Sequence, residues 1–354
     1  MARVLIVTAS MGAGHTEVAA ELARRLADRG ASVRAVDMLE IAGPAGRRLR
    51  RTYRLLLARA PWLYDAAMRF WARHPAPLTG LVAANAGPAE RALRAAVTAH
   101  EASVVVSTYN LASQVLGRLR ARGELRAPVV TVVIDPGAHP YWVSRYVQLH
   151  IAPLVSTARR LTIFGAPQTA VAAPILRPEI HAAPPPEQAR RTLGLPDRRI
   201  ALVNAGSWAA GRIRRTVAAL CAVPDLFVVA LCGRDERLRA ELTGRAGLRP
   251  VGWTSEMATY LAAADVMVDN AGGLTCWEAL AIGTPVVIFD PLPGHGRFNA
   301  AALADDGLVV LADSRESLAG AVRAVTRHGP LPTYRAADPA EDLVLATARD
   351  ASHV

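Results

Sequence analysis

The chain has 354 residues, is 52% apolar and carries a formal charge of +11 that comes from arginine alone, since it contains no lysine. Its length predicts two domains, its apolar fraction excludes a disordered chain, and no apolar run is long enough to span a bilayer. The charge favours anionic partners. Aromatic residues are scarce among the arginines outside one segment, which argues against nucleic acid.

The apolar N-terminus reads as a strand rather than a signal peptide. Three cysteines, Cys221, Cys232 and Cys276, are an odd number without metal-like spacing. They predict a reduced cytosolic chain in which all three are small buried hydrophobes.

Arg3–Thr8 is expected as strand one, Ala9–Gly14 as a glycine-containing turn, and a helix from about His15 to Arg29, with Val18, Leu22 and Leu26 on its buried side. The turn is no P-loop, because Gly-Lys-Ser/Thr is missing. Nor is it a dinucleotide fingerprint, because Glu17 stands where the third glycine belongs. What remains is a backbone nest ending in His15. The positive end of the helix predicts a depressed pKa there and a neutral imidazole able to accept a proton.

After a second strand at Arg34–Asp37 comes Gly46–His74, in which eight arginines face one acid, Asp65. Leu49, Tyr53, Leu56 and Leu57 fall at helical spacing, Pro61 breaks the pattern, and a second stretch presents Trp62, Leu63, Phe70 and Trp71. A basic helix with aromatics on its other face suits an anionic lipid headgroup layer. Residues 75–100 read as loop and helix, Ser103–Thr108 as a strand, and Leu111–Arg122 as a helix. Val129–Ile134 is a continuous apolar strand ending in Asp135, followed by His139-Pro140-Tyr141-Trp142. Ligands in open parallel sheets bind beyond the strands' carboxyl ends, so Asp135 and His139 are placed for chemistry. Asp135 is expected as a general base or as an acid that orients a histidine. Leu149–Pro153 gives one more strand.

The proline-rich stretch at 179–198 predicts a linker between a first domain, 1–178, and a second, 199–354. Strands are expected at Ile200–Asn204, Leu226–Cys232 and Leu248–Val251, with a turn at Ala205-Gly206-Ser207 and a helix capped by Thr254 or Ser255. Asp265–Asp269 is a buried strand, Asn270–Gly273 a turn, and the next helix carries Leu274, Trp277, Leu280 and Ala281 on one side. Pro285–Phe289 is the following strand, and another helix opens near Phe298 or Asn299. Gly272 and Gly273 allow close backbone approach to an anion, and the helix behind them points bare N–H groups at it. One turn further, Glu278 can accept two hydrogen bonds from the vicinal hydroxyls of a ribose, so the pair of features points to a nucleotide. Gly307–Leu311, a helix from about Ser314 and a tail helix at Ala337–Ala348, packing back on the first domain, complete the reading.

Ala271–Thr275, Glu278, Gly283-Thr284-Pro285 and Asn299 together resemble the donor-binding region of glycosyltransferase family 28. That family includes the monogalactosyldiacylglycerol synthases and the peptidoglycan N-acetylglucosaminyltransferases. The departure is Pro293-Gly294-His295-Gly296, where the galactolipid synthases usually have Pro-Gly-Gln-Glu. The resemblance implies an α/β GT-B fold, two doubly wound Rossmann-like domains with a cleft between them. It implies an inverting, metal-independent transfer from a UDP-sugar to the hydroxyl of a lipid or other hydrophobic acceptor, and no cofactor. There is no Asp-x-Asp motif, in keeping with a metal-independent route.

On the same resemblance, Gly206, Ser207, Arg212, Gly272, Gly273, Leu274 and Thr275 serve the diphosphate, Glu278 the ribose, and His295 and Asn299 the sugar, while Trp253 either packs over the base or is simply core. Gly12, Gly14 and His15 face the acceptor, and either His15 or Asp135 takes its proton, with His139 nearby. The enzyme is expected as a cytoplasmic protein peripheral on the inner membrane face through 46–74. A soluble aglycone acceptor, a UDP-sugar 2-epimerase and a non-catalytic membrane-binding scaffold are the alternatives.

Overall fold

The computed structural model describes residues 1–76, 80, 86–204, 206, 211–325 and 338–350. The chain forms two compact units, Met1–Ile175 with Thr333–Val354, and Leu176–Pro332. In the first, β1 (Arg3–Thr8), α1 (Ala13–Asp28), β2 (Ser32–Asp37), α2 (Met38–Ile41), α3 (Pro44–Arg59), α4 (Pro61–Arg73) and α5 (Gly87–His100) lead to β3 (Val104–Ser107). Then come α6 (Asn110–Ala121), β4 (Val129–Val132), β5 (Leu149–Ala152), α7 (Val155–Ile163) and β6 (Thr169–Val171). The strands form one parallel sheet in the order β2-β1-β3-β4-β5-β6. The central strands are apolar on both faces, as a sheet covered by helices on both sides requires, and Val104–Val106, Val129 and Val130 are fully buried. Strand order reverses between β1 and β3, which places the loops following them side by side.

Helix α7 and strand β6 escaped the sequence reading. The exposed Val155 and Ile163 blur the apolar stripe of α7, and β6 is a three-residue edge strand. Pro61 divides α3 from α4, as the break in the pattern indicated, and opens α4: at the first helical position its missing N–H has no partner to lose.

The second unit runs α8 (Pro178–His181), α9 (Pro186–Leu193), β7 (Arg199–Asn204), α10 (Ile213–Cys221), β8 (Leu226–Leu231), α11 (Glu236–Leu242), β9 (Leu248–Val251) and α12 (Met257–Ala263). It continues with β10 (Val266–Asp269), α13 (Leu274–Ile282), β11 (Val286–Phe289), α14 (His295–Asp305), β12 (Val310–Ala312) and α15 (Arg315–Ala324). Its parallel sheet has the order β12-β11-β10-β7-β8-β9, reversing between β7 and β10. A last helix, α16 (Ala340–Asp350), belongs to the first unit, where it packs on α1, β3 and β4. There Arg29 of α1 pairs with Asp342 and lies 3.8 Å from Glu341.

Three expectations are corrected. Residues 179–198 are not an extended linker. Pro178 and Pro186 sit at helix starts, Ala189 of α9 is buried against Ala262 and Ala263 of α12, and Arg190 pairs with Asp265 at 2.8 Å. Cys221 is exposed at the end of α10, whereas Cys232 and Cys276 are buried. Neither Thr254 nor Ser255 caps α12. Its N-cap is Glu256, whose N–H donates to Thr254 Oγ1 at 3.0 Å.

Candidate functional site

In the first unit the loops after β1, β3 and β4 bring together His15, Thr108, Tyr109 and Asp135. His15 is the third residue of α1, and its Nδ1 lies 2.7 Å from the Thr108 carbonyl oxygen. A carbonyl only accepts, so Nδ1 carries the proton and Nε2 keeps its lone pair. The His15 carbonyl accepts from Thr8 Oγ1 at 2.9 Å, and its ring stands edge-on to Tyr109 with centroids 5.2 Å apart. The Asp135 carboxylate accepts from Trp142 Nε1 at 3.2 Å, and the Trp142 ring lies 6.4 Å from that of His15.

The His15 pKa falls below 6.5 chiefly because burial disfavours the charged ring. The Asp135 charge and the Thr108 carbonyl oppose that shift. The direction is the one expected from the sequence, and desolvation is a cause that the sequence did not show. His139 is buried, with Nε2 3.4 Å from Asn110 Nδ2 and its ring against Tyr141 and Trp142, inside the loop that carries Asp135. Gly12 precedes α1, and a side chain there would meet no atom within 4 Å, so the loop borders open space; Gly14 lies within the first turn.

Helices α3 and α4 flank this loop cluster. Arg50 Nη1 donates to Ser10 Oγ at 2.9 Å, fastening α3 to the β1–α1 turn. The helices' outer surface carries Arg47, Arg48, Arg51, Arg54 and Arg59 together with Trp62, Leu63 and Phe70, which are 71%, 47% and 50% exposed. Asp65 is turned inward and pairs with Arg69 at 3.0 Å. Among the described residues no helix is long and apolar enough to cross a membrane.

In the second unit the corresponding loops follow β7 and β10. Buried Asp269 ends β10 and accepts from Gly272 N at 2.7 Å and Ala271 N at 3.1 Å. Burial raises its pKa, and these backbone donors pull the other way. Gly272 has φ +60°, and a Cβ on it would lie 2.9 Å from Asn299 Cβ. Its bareness therefore serves the turn and the packing of α14, and its amide is already committed to Asp269. Gly273 is the N-cap of α13, which leaves the amides of Leu274 and Thr275 without an intrahelical carbonyl. Bare amides at a helix start can bind an anion.

Glu278, 2% exposed, accepts from Arg177 Nη2 at 2.9 Å. His295 is the first residue of α14, which starts earlier than sequence periodicity indicated. A Cβ on Gly296 would lie 2.7 Å from Leu292 Cβ and 3.2 Å from the Asn270 carbonyl oxygen. That packing leaves no room for a side chain at position 296. Asn299 is buried and its Nδ2 donates to the Ala271 carbonyl at 3.3 Å, tying α14 to the turn. Gly206 N donates to Asn204 Oδ1 at 3.0 Å, and Ser207 lies outside the described residues. Arg212 is exposed at the start of α10. Trp253 is 52% exposed under the Arg234 guanidinium, 4.5 Å from its ring centre, so it is no core residue. Among the described residues no group of three His, Cys, Asp or Glu could hold a metal ion.

Sequence reasoning passed over Thr108, Tyr109, Arg177 and Asp269. Only Asp269 left a signal, an Asp-Asn-Ala-Gly run typical of a turn built on a carboxylate. The others act through partners remote in sequence.

Two family profiles match the chain. The one described as monogalactosyldiacylglycerol (MGDG) synthase covers residues 15–173, and the glycosyltransferase family 28 C-terminal domain covers residues 201–352. A processive diacylglycerol beta-glucosyltransferase of Bacillus cereus (strain 03BB102) is 24% identical over 345 residues, spanning 90% of this chain and 84% of its own. Among solved structures, MurG of Acinetobacter baumannii aligns with a TM-score of 0.59 at 18% identity, covering 97% of this chain and 99% of its own. Anabaena Alr3699/HepE, solved in complex with UDP-glucose, gives a TM-score of 0.59 at 16% identity and covers 99% of each chain. These likenesses, with the two parallel six-stranded sheets, establish the GT-B fold.

Proposed function

Since the chain belongs to glycosyltransferase family 28 and is a glycosyltransferase, we propose that it moves a hexose from a UDP-sugar, with inversion, to the hydroxyl of a lipid acceptor such as diacylglycerol. The observation that carries the reading is the His15 imidazole, held with Nε2 as proton acceptor by the Thr108 carbonyl and lying in the field of Asp135. The acceptor oxygen attacks the anomeric carbon while the bond to the diphosphate breaks. UDP leaves with the electron pair, and the acceptor proton passes to His15 Nε2. Asp135 stabilises the imidazolium so formed. The amides of Leu274 and Thr275 and the positive end of α13 offset the charge growing on the diphosphate, with Arg212 as a further cation. Glu278 holds the ribose, Trp253 the base, and His295 the sugar. The basic and aromatic surface of α3 and α4 rests on an anionic membrane, where the acceptor resides.

The test is UDP release from UDP-glucose, UDP-galactose and UDP-N-acetylglucosamine, with and without anionic vesicles containing diacylglycerol, in buffer with and without EDTA. The expected result is release that requires one sugar and the vesicles, survives EDTA, and yields a glycolipid of inverted anomeric configuration. Release without vesicles would overturn the lipid acceptor, and loss in EDTA would overturn the metal-independent route.

A further inference from the structure

Beyond the base and the donor loops, the first unit holds a polar pair that the reaction as described leaves unused. Tyr53 lies on the inner face of α3, in register with Gly46 and Arg50, and Tyr64 lies on the inner face of α4 beside buried Asp65 and Met68. Their rings meet edge to face with centroids 5.5 Å apart, and their hydroxyls share a hydrogen bond. Both phenols lie within electrostatic reach of Asp135, and Tyr64 is also close enough to feel Tyr109, the ring that stands against His15. The two helices that carry Trp62, Leu63 and Phe70 outward thus carry two hydroxyls within electrostatic reach of Asp135.

Resting on the lipid glycosyltransferase reading, we propose that Tyr53 and Tyr64 are a positioning pair that binds the polar end of the lipid acceptor and orients its hydroxyl beside Asp135 and His15. A protonated phenol donates, so the pair can hold the ester oxygens next to the acceptor hydroxyl. It must also stay protonated, or it would compete for the proton that the base removes. Burial ensures this, raising the Tyr53 hydroxyl to about 12 and that of Tyr64 well above its ordinary 10. The division of labour arises from the helices themselves. Apolar side chains on the outside accommodate acyl chains, and the hydroxyl pair inside meets the glycerol end. An acceptor with a hydroxyl and no neighbouring oxygen would gain nothing from the pair.

The experiment compares the wild type with Tyr53→Phe, Tyr64→Phe and the double variant, which keep both rings. The measurement is kcat/KM for dioleoylglycerol relative to a long-chain alcohol in the same vesicles, with KM for the UDP-sugar and the melting temperature alongside. The acceptor ratio does not depend on the fraction of active enzyme, so it reports on positioning even if a variant is poorly folded. We expect the double variant to lose about fivefold to tenfold of the preference for dioleoylglycerol, through KM more than kcat, with KM for the UDP-sugar unmoved. An unchanged ratio in the double variant would overturn the positioning role, as would equal losses on both acceptors. If the wild type transfers to neither acceptor, the lipid reading itself falls, a result distinct from a wild type that prefers dioleoylglycerol and variants that keep the preference.

Discussion

Two turns in this chain come after a strand at the point where strand order reverses, and they end in different chemistry. After β1, the turn leads into α1 with His15 three residues inside the helix, buried enough to stay neutral and tied by Nδ1 to Thr108. After β10, the turn leads into α13 with its backbone held by the Asp269 carboxylate and with Leu274 and Thr275 offering bare amides. The same doubly wound architecture thus presents a neutral imidazole in one unit and bare helix-start amides in the other. The difference lies in the residues at the start of the helix behind each turn. A half-buried histidine can stay neutral and keep a lone pair, whereas a turn of small residues exposes the helix end itself.

If this division holds, His15→Ala should lower kcat/KM about 100-fold or more while the Kd for UDP changes little, because a missing general base affects the transition state and not the nucleotide. Loss of UDP binding in that variant would erase the distinction between the two turns. Glu278→Gln should weaken UDP binding about tenfold, the scale for a charge-assisted hydrogen bond. The wild type should bind UDP more tightly than 2′-deoxy-UDP and the variant should not; equal discrimination by both would remove Glu278 from the ribose.

Gly272→Ala should destabilise the fold by about 1–3 kcal/mol, seen as a lower melting temperature, because it strains a left-handed turn and presses on Asn299. The equivalent change at Gly12, which borders open space, should barely move the melting temperature. A shift in pH dependence is expected from Asp135→Asn, which keeps an acceptor for Trp142 but removes the charge that raises the His15 pKa. The acid limb of kcat/KM against pH should lie below 6.5 in the wild type, because activity is expected to appear as His15 loses its proton. In Asp135→Asn the limb should shift to lower pH. A limb that disappears would make Asp135 the base instead.

The second turn was the more legible in sequence. Its glycines, the helix behind them and Glu278 are contiguous, so their spacing alone describes an anion site and a diol acceptor. The first turn offered only a histidine at a helix start, and the burial that lowers its pKa could not be read there. Burial of a residue at a loop–helix junction depends on Tyr109 and Trp142, about 94 and 127 positions away in sequence. Likewise, Pro184-Pro185-Pro186 looked like a linker because composition cannot tell an extended spacer from prolines that start helices.

From its sequence alone this protein is an alternation of buried parallel strands and amphipathic helices, with a nucleotide-type turn after one strand and a basic aromatic segment near the start. These are properties of local period and of contiguous residues. Only the tertiary structure decided that Gly272 answers to Asn299, that Arg177 pairs with Glu278, and that Tyr53 and Tyr64 turn inward toward Asp135. Each depends on distances between residues far apart in the chain, which packing sets and local periodicity does not encode.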